Sequence, residues 1–283
     1  MPAAVSLSPS SAPARATTAS RPKGGRGKGW IHNLVRSRWL SPFILLTVWE
    51  LGSRTGLIPV RILAAPSTVV VTLWSMIISG ELPSNLLVSF GRVVVGLAIG
   101  LAAGTGLGLV AGLSKPGEAA VDPLMQIKRT IPVVALTPLF IVWFGIGETP
   151  KIALIAFAST FPIYLNLYSG IRGVDVRLID AARSFGLSQM EIVWHVVLPA
   201  ALPSFFTGLR YALSIAIILL VIAEQINATA GLGYLINNAR DFMRTDIIVV
   251  CLVVYALLGL GADFIVRTLE ARLLAWRPSL VER

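Results

Sequence analysis

The chain has 283 residues, of which 55% are hydrophobic and 13% charged, and its mean hydropathy is +0.78. A soluble domain carries about 25% charge, so the composition excludes one and implies an integral membrane protein. The formal net charge is +10, concentrated enough at the N-terminus to demand an explanation there. The single cysteine, Cys251, has no partner for an internal disulfide and reads as a small core residue.

Residues 1–29 are rich in Ser, Ala, Pro and Gly and are expected to be disordered. Seven basic residues (Arg15, Arg21, Lys23, Arg26, Lys28, Arg36 and Arg38) and no acidic ones precede residue 40. No secretory signal pattern is present. A basic tail directly before a membrane span follows the positive-inside rule, so it is expected to face the cytoplasm and not to bind nucleic acid. Residues 30–283 then form one transmembrane domain. Apolar runs of roughly 20 residues suit a bilayer core, and six are predicted, near 40–58, 86–112, 131–147, 151–170, 204–226 and 247–268. Between the first two, Ser67 is placed to cap a helix whose Val70, Val71, Trp74, Ile77 and Ile78 share a face, the pattern of an interfacial helix.

Alternate loops then sort by charge. Lys115, Lys128, Arg129, Arg172, Arg177, Arg183, Arg267, Arg272, Arg277 and Arg283 fall on the side of the tail. Arg54, Arg61, Lys151, Arg240 and Arg244 fall on the other. The asymmetry predicts both termini in the cytoplasm.

The second run carries Gly96, Gly100, Gly104, Gly108 and Gly112, one every four residues. Such a stripe lets another helix backbone approach closely in lipid. Pro132, Pro138 and Pro162 interrupt the third and fourth runs; proline frees a carbonyl and is tolerated where neighbours or a water-lined path satisfy it. Glu224 ends the fifth run, just before Ala230-Gly231-Leu232-Gly233. A carboxylate at membrane depth faces an interior or a path. It therefore reads either as a pathway or gate residue, with Pro132 and Pro138, or as a helix-end carboxylate paired with Arg240 or Arg244. Arg92, Arg210 and Asp263 near span ends read as snorkelling or paired. There is no nucleotide-binding G-x-x-x-x-G-K-[ST] loop, no H-E-x-x-H or Cys/His metal spacing and no G-x-S-x-G elbow, so neither metal nor enzymatic chemistry is expected in this chain.

Residues 171–203 hold a polar, helix-forming island. Asp175 can cap a first short helix, and Gly186 can end it. Ser188 and Glu191 form a capping box for a second. Leu198-Pro199 and Leu202-Pro203 lead into the next apolar run.

On these residues the chain resembles the inner-membrane permease subunits of bacterial ATP-binding-cassette importers. Their cytoplasmic loop carries Glu-Ala-Ala, three residues, Gly, and a Leu-Pro ending. Here Asp180-Ala181-Ala182, Gly186, Val196 and Leu198-Pro199 stand in those places, with Asp for Glu. The runs PLMQIKRTIPVVALTPLFIVWFGIGETPKI, GIRGVDVRLIDAARSFG, VVLPAALP and AGLGYLINNARDFMRTD are similar to the nitrate, sulfonate, taurine and bicarbonate group, most of all to aliphatic sulfonate permeases. The resemblance covers roughly residues 40–275.

The resemblance implies an all-α permease of about six transmembrane helices with a cytoplasmic coupling helix-turn-helix. Asp180, Ala181, Ala182, Gly186, Leu198 and Pro199 would couple it to a separate ATPase. The implied partners are two ATPase subunits, which hold ATP and Mg, a second copy of this chain, and a periplasmic or lipid-anchored substrate-binding protein. The implied solute is a small anion, aliphatic sulfonate or taurine. Nitrate, bicarbonate or an organic cofactor precursor are alternatives, and a secondary transporter is a more distant one.

Overall fold

The computed structural model describes residues 40–276. The tail of residues 1–29, with its boundary at residue 30, lies outside the described residues, as do Arg277 and Arg283. The chain divides into two compact units, Met1–Val48 and Trp49–Arg283. The first is described only where it begins α1 (Leu40–Arg54).

Among the described residues every regular element is helical. After α1 come α2 (Pro66–Ile78), α3 (Glu81–Leu113), α4 (Lys115–Thr130), α5 (Thr137–Phe144), α6 (Glu148–Arg172), α7 (Val176–Ser184), α8 (Gln189–Ile192), α9 (Leu198–Glu224), α10 (Leu232–Asp241) and α11 (Thr245–Leu273). A 3-10 turn, Val133–Leu136, precedes α5, and a π turn, Val193–Val197, joins α8 to α9. Among the described residues, four helices are long and apolar enough to cross a membrane: α3, α6, the α8–α9 rod and α11. α4 with the segment Val133–Phe144 makes a fifth crossing, bent by 90°. α1 has 15 residues, about 22 Å of helix against a hydrocarbon core of about 30 Å.

The glycine stripe sets the central pair. Gly96, Gly100, Gly104, Gly108 and Gly112 of α3 meet Ile155, Ser159, Ile163, Leu167 and Ile171 of α6, in that order. A Cβ would stand 2.7 Å from Ile155 at Gly96, 2.6 Å from the Thr160 carbonyl oxygen at Gly104, and 2.8 Å from Ile171 at Gly112. No larger residue fits at this spacing, and dispersion contact is what holds helices together in lipid. Both series rise together, so α3 and α6 run parallel. The chain must therefore cross back between them, and α4 and α5 make that return.

This corrects the third expected span, 131–147. The crossing begins at Lys115, and Ile131–Pro132 is its bend. Proline 132 forces the preceding residue out of helical geometry, and Ile131 is extended (φ −85°, ψ 120°). α9 packs antiparallel to α6, with Gly208 against Pro162 and Asn166, and Gly170 against Ser204. α11 in turn packs antiparallel to α9, with Glu224 beside Tyr255 and Arg210 beside Glu270.

Two ends result. One gathers the C-termini of α3, α6 and α11 and the α7–α8 island. The other gathers α2, α10, Glu148, Glu224 and the start of α11. α2 forms where a helix is anticipated, with Val70, Val71, Trp74, Ile77 and Ile78 exposed and Val69 and Met76 buried. Its cap differs. Ala65 holds the N-cap and Pro66 opens the helix, needing no donor there. Ser67 instead donates its N–H and hydroxyl to Glu50, at 3.0 and 2.7 Å.

Candidate functional site

At the island end, the Asp175 side chain accepts from the Arg177 N–H and starts α7. Gly186 has φ +83° with open space around it, so the turn demands glycine for its conformation rather than its size. The Gly186 N–H reaches the Arg183 carbonyl and the Leu187 N–H reaches that of Ala182, at 2.9 and 3.2 Å. This paired closure ends α7. Ser188 and Glu191 then cap α8 reciprocally, at 2.7 and 3.4 Å.

The island is seated on the spans. Ala182, Ile192, Val197 and Ala201 are buried with Leu167 and Ile171 of α6. Ala182 therefore faces the chain's own core, and of the expected coupling set Asp180, Ala181 and Gly186 are exposed. Consecutive helix residues are about 100° apart, so the two alanines straddle the boundary. Around them Leu178, Phe185, Met190 and Trp194 are exposed, Phe185 by 84%. The sequence reading missed this apolar rim, whose signal is apolar residues recurring on the polar side of short helices.

Leu198-Pro199 does not break the chain. The π turn absorbs Pro199, which has no N–H to give the His195 carbonyl. α8, the turn and α9 form one rod, Gln189–Glu224. Leu198 and Pro199 are half-buried within it.

The opposite end is polar and closed. Glu224 is fully buried and Arg92 is 3% exposed. Glu224 Oε1 accepts from Arg92 Nη1 at 2.5 Å and from the Ser89 hydroxyl at 2.6 Å. Oε2 accepts from the Tyr255 hydroxyl at 2.8 Å and the Gly233 N–H at 2.9 Å. The latter donor lies in the first turn of α10, whose partial positive charge favours a carboxylate. Arg92 also holds Glu148 in a fork, at 2.5 and 2.7 Å, and donates to the Ala230 carbonyl at 2.8 Å. Gly231, at φ +112°, brings the loop over the carboxylate; a Cβ there would lie 2.6 Å from Glu224 Oε1.

The expected pairing of Glu224 with Arg240 or Arg244 does not form. Those arginines meet Asp241 and Asp246, at 3.7 and 2.6 Å. The Ala-Gly-Leu-Gly turn folds α10 back beneath Glu224, and the nearest cation becomes Arg92, which lies 132 positions away. Arg210 is likewise paired, with Glu270 at 2.5 Å and Asp263 at 3.4 Å. Cys251 is fully buried.

Between the ends lies the bend of the return crossing. Pro132 precedes the 3-10 turn and Pro138 lies in the first turn of α5. Lys128, expected in a loop beside Lys115, instead lies along α6, its ammonium donating to the Phe157 carbonyl at 2.5 Å. The loop boundary was misplaced because α4 is too polar to read as part of a span.

Residues 104–275 match the family described as the binding-protein-dependent transport system inner membrane component. The chain belongs to this family. It is 45% identical over 252 residues to the Escherichia coli (strain K12) protein named as an aliphatic sulfonates transport permease, SsuC, covering 89% of this chain and 95% of that one. It is 34% identical over 238 residues to the taurine transport system permease protein TauC of the same strain, covering 82% and 86%. A solved amino acid ABC transporter shares the fold, with a TM-score of 0.57 at 19% identity over 72% of this chain and 96% of that one. The family makes this chain a multi-pass ABC permease subunit, a transporter component rather than an enzyme.

Proposed function

We propose that this permease carries a small organic anion, an aliphatic sulfonate or taurine, in an ATP-driven importer. Two copies would stand side by side, each docked on one of two ATPase subunits that hold ATP and Mg, with a binding protein delivering solute to the far end. The observation that carries the coupling reading is the α7–α8 island. It is bolted to α6 and α9 on its inner side and uncovered on its outer side, where Asp180 and Ala181 lie among Leu178, Phe185, Met190 and Trp194. An apolar surface rimmed by charge marks a docking face. Leu198 and Pro199 would transmit force by keeping α8 continuous with α9. The island end would face the cytoplasm, since Lys115, Arg172, Arg177, Arg183, Arg267 and Arg272 gather there. The end of α11 would then be cytoplasmic, the N-terminal side would join it only with α1 as a further crossing, and the membrane would be a bacterial inner membrane.

The Arg92–Glu224 cluster would serve as the outer gate's hinge, holding α3, α9, α10 and α11 together. Pro132 and Pro138 would open the path by breaking the return crossing. The solute class comes from the two E. coli relatives. The test is uptake by the reconstituted permease, ATPase and binding protein, using labelled ethanesulfonate, taurine, nitrate and bicarbonate. ATP-dependent uptake of the first two is expected. Uptake driven by a proton gradient without the ATPase would overturn the proposal.

A further inference from the structure

We infer that Lys128 and Arg129, at the bend of the return crossing, form an anion station halfway through the membrane, where a sulfonate head group rests while its alkyl chain lies in the adjoining apolar cavity. The inference rests on the anionic solute proposed above and adds the residues that would receive it.

Depth is read from the helix register. The Lys128 ammonium donates to the Phe157 carbonyl at 2.5 Å and sits 4.3 Å from the centre of the Phe157 ring. Phe157 lies between Ile155 and Ser159, which meet Gly96 and Gly100. Those glycines are the middle of α3, Glu81–Leu113. The two cations are therefore near the bilayer centre, where charge is costly and marks a substrate path or a paired interior.

Pairing within the chain does not account for them. Among the described residues, the ion pairs all involve other groups. The acids on α4 are engaged elsewhere: Glu118 with Arg172 and Tyr168, and Asp122 with Tyr164 and Gln126. Lys128 is half-buried and Arg129 is exposed. The ammonium thus rests on a carbonyl and a ring face, both weaker partners than an anion.

The surroundings suit an amphiphilic anion. A cavity of about 790 Å³ adjoins the ammonium through Phe157 and is lined by Ile99, Ile131, Phe140, Phe144 and Ile152. Its lining is almost wholly apolar, so a bare inorganic anion would gain nothing there, whereas an alkyl chain would leave water. At the 90° bend, Ile131, two residues beyond Arg129, and Phe157, which carries the Lys128 ammonium, both line the cavity.

The test uses the reconstituted permease, ATPase and binding protein with labelled ethanesulfonate. Lys128→Met and Arg129→Gln are each expected to lower uptake at least about tenfold, with assembly verified by co-purification of the ATPase, and Lys128→Arg to restore most of it. In a Cys251→Ala background, Lys128→Cys is expected to react with the anionic sulfonatoethyl methanethiosulfonate during ATP turnover, more slowly when ethanesulfonate is present. Normal uptake by both charge-removing variants, or an inert Cys at position 128, would overturn the station. Should the wild-type complex carry no anion at all, the solute class falls with it. The thiol reaction would still report separately whether position 128 faces the path.

Discussion

The two ends of the molecule are held by opposite means. At the Glu224 end, buried polar groups satisfy one another: Arg92, Ser89, Tyr255 and the α10 backbone surround the Glu224 carboxylate, and Arg92 reaches on to the half-exposed Glu148. At the island end the seat is apolar, and Leu178, Phe185, Met190 and Trp194 remain uncovered. A closed polar network specifies one arrangement of its own chain, because any partial opening strands a buried charge. An amphipathic island leaves an outer apolar face that its own chain does not cover. The first end suits a gate and the second a joint.

The comparison breaks most sharply at Arg92. Arg92→Leu leaves the Glu224 carboxylate buried without a cation, and a loss of about 3–5 kcal/mol is expected, read as a fall in the unfolding midpoint in detergent. Glu224→Leu should cost less, since Arg92 keeps Glu148. A double variant better folded than Arg92→Leu alone would confirm that the stranded charge is the cause. Next comes the α3–α6 seam that connects the two ends. Gly104→Val should lose about 1–3 kcal/mol or more by overpacking against Thr160 and Ile163, while Gly106→Ala, with open space at its Cβ, should leave the midpoint unchanged.

At the island the effects should be smaller in stability and larger in coupling. Gly186→Val forces a β-branched residue into the left-handed region, about 1–2 kcal/mol of local strain. The purified protein should stay folded while ATP hydrolysis no longer drives uptake; normal uptake per ATP would contradict a docking role. Ser188→Ala should be the mildest, about 0.5–2 kcal/mol at the start of α8, seen as faster amide exchange in α8 with the α3 and α6 amides unaffected.

Much of the island was legible because its rules are local. Asp175, Gly186, Ser188 and Glu191 act on backbone groups within a few residues of themselves, so spacing alone predicts the caps. The glycine stripe was legible for the same reason, although its partner was not. Leu198-Pro199 leads into the next apolar run as its sequence indicated, but the unbroken rod was not legible, since whether a proline breaks a helix or is absorbed by a π turn depends on how the preceding turn packs. Lys128 misled, because a charged, amphipathic half-crossing looks like a loop until a neighbouring helix covers it.

The sequence by itself determined that this chain is a helical membrane protein of the permease family, with a polar helix-turn-helix island between two apolar runs. It also determined where each local cap and turn would form. Only the tertiary structure decided that Glu224 meets Arg92, that α3 and α6 run parallel, and that Lys128 rests on Phe157 of α6. Those outcomes depend on contacts between residues tens to more than a hundred positions apart, chosen by which helix faces fit and which charges would otherwise be buried alone.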